Sequence, residues 1–336
     1  MPKSRKSTES SAKPNVATRT STRSKGRVSS KYFQNNDDSA LDDAARENTE
    51  TGSKRKRKSK APTASNKIPK VEEPERQPNP SQYQTLLYLL SPSALQLCRP
   101  KDESKELAEK GPSADYRTYS GSVLTPFEEL LSAVILSRPI SHALGHRSIR
   151  TILNPPYRFS NARAIRKAGP ARVLKAMFDA RTQHKDKTAV AIAKFADVVA
   201  EKFGGEDDTS LEEVRKQSDY DPNKERALLK SSIHGLGNTG LNIFYRRIQW
   251  LWTQSFPFMD ERTEDAAASL GLPDDAEELY DMIDAIWEEL DTDQFDGGDE
   301  EEKKRRAFVV LLERVIGAQL EKKVVQVLQE AEKMPE

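Results

Sequence analysis

Residues 233–260 read IHGLGNTGLNIFYRRIQWLWTQSFPFMD. A Gly-x-Gly turn, Gly235-Leu236-Gly237, follows one helical pattern and opens another. Two glycines let the backbone take special φ/ψ values and approach a ligand closely. The helix starting near Asn238 offers free N–H groups and the positive end of its dipole, which suits a phosphate. Asn238 and Thr239 can add side-chain hydrogen bonds. Arg246 and Arg247, two turns on, extend the positive surface. Asp260 stands as a lone acid 23 residues after the second glycine. A plain interhelix loop is the bland alternative for the turn. An N-cap, for a helix starting near Arg262 or Thr263, is the bland alternative for Asp260.

Outward from this stretch the pattern stays helical. Thr125-Pro126 with Glu128 forms a capping box with proline at the first helical position. Leu130, Leu131, Val134 and Ile135 follow at helical spacing, and Pro139 ends that run. A second helix lies near residues 142–154 and stops at Asn154-Pro155-Pro156. Ser160 is expected to cap the next, Gly169-Pro170 to open another, and Asp186 to cap a longer one that Gly204-Gly205 terminates. Asp221-Pro222 begins the helix that runs into the glycine turn. More helices are expected around 263–270, 276–290 and 300–331. No strand-period alternation and no internal repeat occurs, so the fold class is all-α. The aromatics Phe244, Tyr245, Trp250, Trp252, Phe256 and Phe258 are read mostly as core.

Composition divides the chain further. Of 336 residues, 32% are charged, yet the net charge is only +1. Residues 1–80 carry about +9, residues 121–260 about +6 and residues 261–336 about −14. A polyanion bound at one face fits this distribution. Residues 1–80 are poor in large apolar side chains and read as a disordered basic tail. Within it lies KRKRKSK: Lys54, Arg55, Lys56, Arg57, Lys58 and Lys60. Such a cluster suits an import receptor and a nuclear location. Residues 81–124 read as a connecting segment, with a charged linker at 101–120. A helical domain is expected at 125–272 and acidic helices packing on or extending it at 273–336. Cys98 is the single cysteine, so neither a disulfide within the chain nor a cysteine-held iron–sulfur cluster is available. His142 and His146 have i, i+4 spacing but no glutamate between them, and no metal site is expected. No apolar run reaches the length of a membrane span, so no membrane partner is expected.

The pattern IHGLGNTGLNIF resembles the hairpin of the helix-hairpin-helix DNA glycosylases, the endonuclease III-like superfamily. Ile233, Gly235, Leu236 and Gly237 match the turn. Met259-Asp260, then Arg262 and Leu270-Gly271, resembles the segment bearing that family's catalytic aspartate. Residues 126–141 resemble its first core helix and the loop entering the DNA, and residues 180–205 the lysine-rich helix before the hairpin. The resemblance covers about residues 125–272. It implies a glycosylase-like fold, double-stranded DNA as partner, and a monomer. Asp260 would then stabilise the oxocarbenium-like state as a flipped base leaves. Arg138 or Ile140 of loop 137–141 would fill the space in the duplex.

Departures from the family narrow the chemistry. Thr239 stands where bifunctional members carry the Schiff-base lysine, and no lysine occurs between Ser231 and Trp252. Excision would therefore be monofunctional, with water as nucleophile. Arg262 replaces the family's usual histidine, and Ala133 falls where adenine-specific members carry glutamate. Family members hold a monovalent cation on hairpin carbonyls; the sequence neither requires nor excludes one here. Two readings follow: a monofunctional base-excision glycosylase, or a non-catalytic DNA-binding or scaffold protein that keeps the fold.

Overall fold

The computed structural model describes residues 77–110 and 115–336. The expectations for a disordered tail and for the import cluster at 54–60 lie outside the described residues. The described residues belong to one compact unit. It comprises α1 (Gln82–Leu90), α2 (Leu95–Cys98), α3 (Lys101–Lys110), α4 (Pro126–Leu136), α5 (His142–Leu153), α6 (Ala162–Asp179) and α7 (Lys185–Lys202). Then come α8 (Glu212–Gln217), α9 (Pro222–Ser232), α10 (Asn238–Ile248), α11 (Glu261–Ser269), α12 (Ala276–Ala285), α13 (Glu300–Leu320) and α14 (Val324–Ala331). No strand occurs among the described residues, and the all-α class holds.

Local chemistry sets the helix starts. Thr125 Oγ1 accepts from Glu128 N, while Glu128 Oε2 accepts from Thr125 N at 2.9 Å, so both halves of the capping box are made. Asp221 caps α9 with Pro222 behind it. Two starts differ from expectation. Asn161 rather than Ser160 caps α6. His184, at φ 52°, rather than Asp186 stands at the start of α7 and makes no side-chain cap. Gly169 at φ 72° breaks α6 ahead of Pro170, as the Gly-Pro pair predicts.

Two apolar cores result. The first joins α4–α10. Its centre is α4, buried on all sides from Phe127 to Ile135. Most of its buried side chains are apolar, and each buried Leu or Phe there stabilises by about 1.5–3 kcal/mol, while the buried Glu128 and Glu129 are paired with Arg117 and Arg247. The second joins α1 and α2 with α11–α14 around Phe308, Leu311, Leu312 and Val315. The described chain therefore doubles back: Asn79 N donates to Glu332 Oε1 (3.1 Å) and Gln84 Nε2 to Met334 O (2.8 Å). The division between cores thus differs from the expected spans, since residues 82–98 belong with the C-terminal helices.

The charged stretch 101–120, expected as a linker, contains α3 instead. Its Glu103 is fully buried and accepts from Arg150 Nη1 at 2.9 Å and from Ser120. His146 Nδ1 lies 3.3 Å from Glu103 Oε2. Arg150 also donates to Asp102 (3.0 Å) and Glu106 (3.1 Å). Cys98 is a buried apolar side chain whose thiol burial pushes up to about 12.

Candidate nucleic-acid interface

The turn between α9 and α10 is built from the inside out. Ile233 and Leu236 are buried, and Leu236 N donates to Ile233 O at 3.2 Å. These two anchors leave His234, Gly235, Gly237, Asn238 and Thr239 exposed. Gly235 takes φ +79°, a value that favours glycine. Gly237 precedes α10 with no side-chain cap. The first-turn N–H groups of α10 therefore face outward with their dipole uncapped. Ile233 O and Gly237 O already accept from Leu236 N and Leu241 N.

The turn is seated on the end of α4. A Cβ on Gly240 would lie 3.1 Å from Ser137 Cβ and 3.5 Å from Ala133 O. That close seat brings loop 137–141 beside the turn. The guanidinium of half-buried Arg138 lies over Gly235, and its Nε, itself buried, has no hydrogen-bond partner. The hairpin glycines and the Arg138 loop, singled out separately in the sequence, are thus neighbours.

Four residues expected to contact DNA do something else. Ile233 and Leu236 are core anchors that position the turn rather than contacts. Arg246 and Arg247 do not extend a positive surface; both are buried. Arg247 grips Glu129 with two bonds, at 2.6 and 2.8 Å, beneath the Tyr119 ring 4.1 Å away. Glu313 of α13 accepts from Arg246 at 2.7 Å and from Arg247 at 3.3 Å. Burial opposes the charge on Glu313, but the two arginines hold its carboxyl down at about 2. This cluster ties α4 and α10 of the first core to α13 of the second. Its carboxylates come from far along the chain, so the arginines had no local signal beyond their setting in the apolar run FYRRIQWLW.

Asp260 is buried at the start of α11. Its Oδ1 accepts from Arg262 N (3.2 Å) and Thr263 N (3.3 Å). Its Oδ2 accepts from Arg246 Nη1 (2.8 Å) and Thr263 Oγ1 (3.2 Å). The N-cap alternative is therefore realised, and an ion pair is added to it. Gln249 fixes the approach by bonding Phe258 N (2.7 Å) and O (2.9 Å). Both carboxylate oxygens are engaged, and Arg246 balances the charge.

Arg226 was not singled out by sequence. Arg226 stacks on Tyr245 (4.1 Å) and Phe258 (4.6 Å), between the turn and the Asp260 segment. His142 and His146 face each other at 4.1 Å between ring centroids. No cluster of His, Cys, Asp and Glu suited to a metal occurs among the described residues, and no helix there is long and apolar enough to cross a membrane. Comparison with protein-family models, with curated proteins and with solved structures gave no match.

Proposed function

We propose that this chain is a duplex-DNA-binding protein with an endonuclease III-like helical arrangement, gripping backbone phosphate at turn 235–239. The observation that carries this reading is the juxtaposition of the exposed, uncapped start of α10 with the Arg138 guanidinium. Backbone N–H groups, a helix dipole and a cation converge there, and all three favour a phosphate. The order of sequence landmarks over 125–272 supports the same reading. A nuclear location, reached through the basic cluster at 54–60, completes it.

A second reading, monofunctional base excision, is favoured by the fixed posture of Asp260. A buried carboxylate held in one orientation can stabilise an oxocarbenium-like cation. The balance tips toward binding because both oxygens are engaged and Arg246 already offsets the charge.

One experiment addresses both. Fluorescence anisotropy with a labelled duplex at about 50 mM salt should show binding that weakens steeply as salt rises. Gly237→Asp, at a position with open space for a side chain, should weaken it strongly. Absence of binding by the wild-type chain overturns the first reading. Duplexes with uracil, oxidised or alkylated bases, incubated with and without alkali, test the second. Abasic product that disappears in Asp260→Asn would establish excision.

A further inference from the structure

The seam between α9 and α10 carries two cations of an unusual kind. Lys230 Nζ donates to Asn238 Oδ1 at 3.0 Å. One helical turn further from the hairpin, Arg226 Nη1 donates to Asn242 Oδ1, also at 3.0 Å. The two rungs are i, i+4 on both helices, about 6 Å apart along the axis. Several other cations near the first core are matched with acids. Arg246 and Arg247 hold carboxylates inside, Lys224 pairs with Asp219 at 2.7 Å, and Arg166 pairs with Asp197 and Glu206. Neither Lys230 nor Arg226 forms an ion pair among the described residues. Their partners are neutral amides, which orient a cation without cancelling its charge. Arg226 is further held against the Tyr245 and Phe258 rings, so less side-chain freedom remains to be lost on binding.

We infer that Lys230 and Arg226 form a phosphate track, which carries one DNA strand from turn 235–239 along the α9–α10 seam toward the Asp260 segment. The inference rests on the duplex-binding reading and names contacts that the reading does not require. The amide partners explain the track physically. Asparagine at 238 and 242 holds each cation in place, whereas aspartate would neutralise it. An i, i+4 step suits neighbouring phosphates of a single strand.

Asn242→Asp tests this without removing a side chain. It converts the Arg226 rung to an ion pair several residues beyond the turn, so the thermal midpoint should hold or rise. Duplex affinity at low salt should nevertheless fall. The slope of log affinity against log salt should shrink by roughly 0.9, the loss expected for one phosphate contact. Lys230→Gln should do the same, and the double variant should lose about twice as much. Full affinity and an unchanged slope in the double variant, with wild type binding normally, would overturn the track and leave the turn reading standing. Failure of wild type to bind duplex at all would overturn both.

Discussion

Arg138 lies so close to Gly235 that a Cβ there would sit 2.9 Å from Nη2. Gly235 also has φ +79°, where an L side chain costs about 1–2 kcal/mol. Gly235→Ala should therefore destabilise by about 1–3 kcal/mol, combining backbone strain with displacement of the guanidinium. Gly237 has φ −95° and open space around it, so Gly237→Ala should stay within about 0.5 kcal/mol of wild type. Urea midpoints of the two variants provide the comparison, and equal shifts would remove the special role given to Gly235.

A tighter contact joins α13 to α2. A Cβ at Gly317 would lie 2.0 Å from Cys98 O and 2.9 Å from Cys98 C. Backbone cannot rotate away as a side chain can. Gly317→Ala should cost at least about 1–3 kcal/mol, the usual range for overpacking. A thermal midpoint within a degree of wild type would contradict this packing.

Glu313 bridges Arg246 and Arg247, and removing its charge takes away their shared acceptor while leaving each arginine one carboxylate, Asp260 and Glu129. Glu313→Gln should destabilise by about 1–3 kcal/mol, the cost of weakening its buried charge-assisted hydrogen bonds. The pH dependence has a definite sign. The folded carboxyl is held at about 2, below its ordinary 4.5. Its stabilising effect is thus present above pH 4.5 and lost as pH falls toward 2. Urea unfolding across that window should show a shallower acid decline in Glu313→Gln than in wild type.

His142 gives a second pH signature at milder acidity. Burial, and next the neighbouring His146, push its pKa down from 6.5 to about 3, although Glu321 Oε1 lies 2.7 Å from Nδ1. The unfolded chain therefore binds a proton below pH 6.5 that the folded chain refuses. Stability contributed by the neutral ring is present above 6.5 and declines as pH falls toward 3, by at most about 1.4 kcal/mol per pH unit. His142→Asn should flatten the decline between pH 6.5 and 5, before most carboxylates titrate. An unchanged slope there would mean that the ring is protonated in the fold.

Features set by adjacent residues were legible in the sequence. Thr125-Pro126 with Glu128, Asp221-Pro222, Asn154-Pro155-Pro156 and the glycine turn each act through chemistry within one helical turn, and each falls where expected. Competition between equally competent neighbours was not legible: Ser160 and Asn161 can both cap, and tertiary placement chose Asn161. Long-range pairing was hidden altogether. α3 looked like a linker because its charges read as solvated, yet Arg150 supplies a buried partner. Arg246 and Arg247 read as surface for the same reason, since Glu129 and Glu313 lie far away in the chain. At the candidate site, the turn and its exposed glycines were legible. The seating of Arg138 on Gly235 and the amide-held cations of the seam were not, because both depend on how helices dock.

The doubling back of the chain onto itself has a consequence for synthesis. A ribosome makes α1 well before its partners α13 and α14; Gln84 bonds to Met334, 250 residues further on. The first core draws on residues 119–252 and has all its parts once α10 and Trp252 have been made. Leu86, Leu89 and Leu90 stay without their packing surface until α13 and α14 have been made. During that interval α1 is an exposed apolar segment, the kind of surface that chaperones hold and aggregation exploits. Vectorial translation thus sets the order in which the two cores close, hairpin half first.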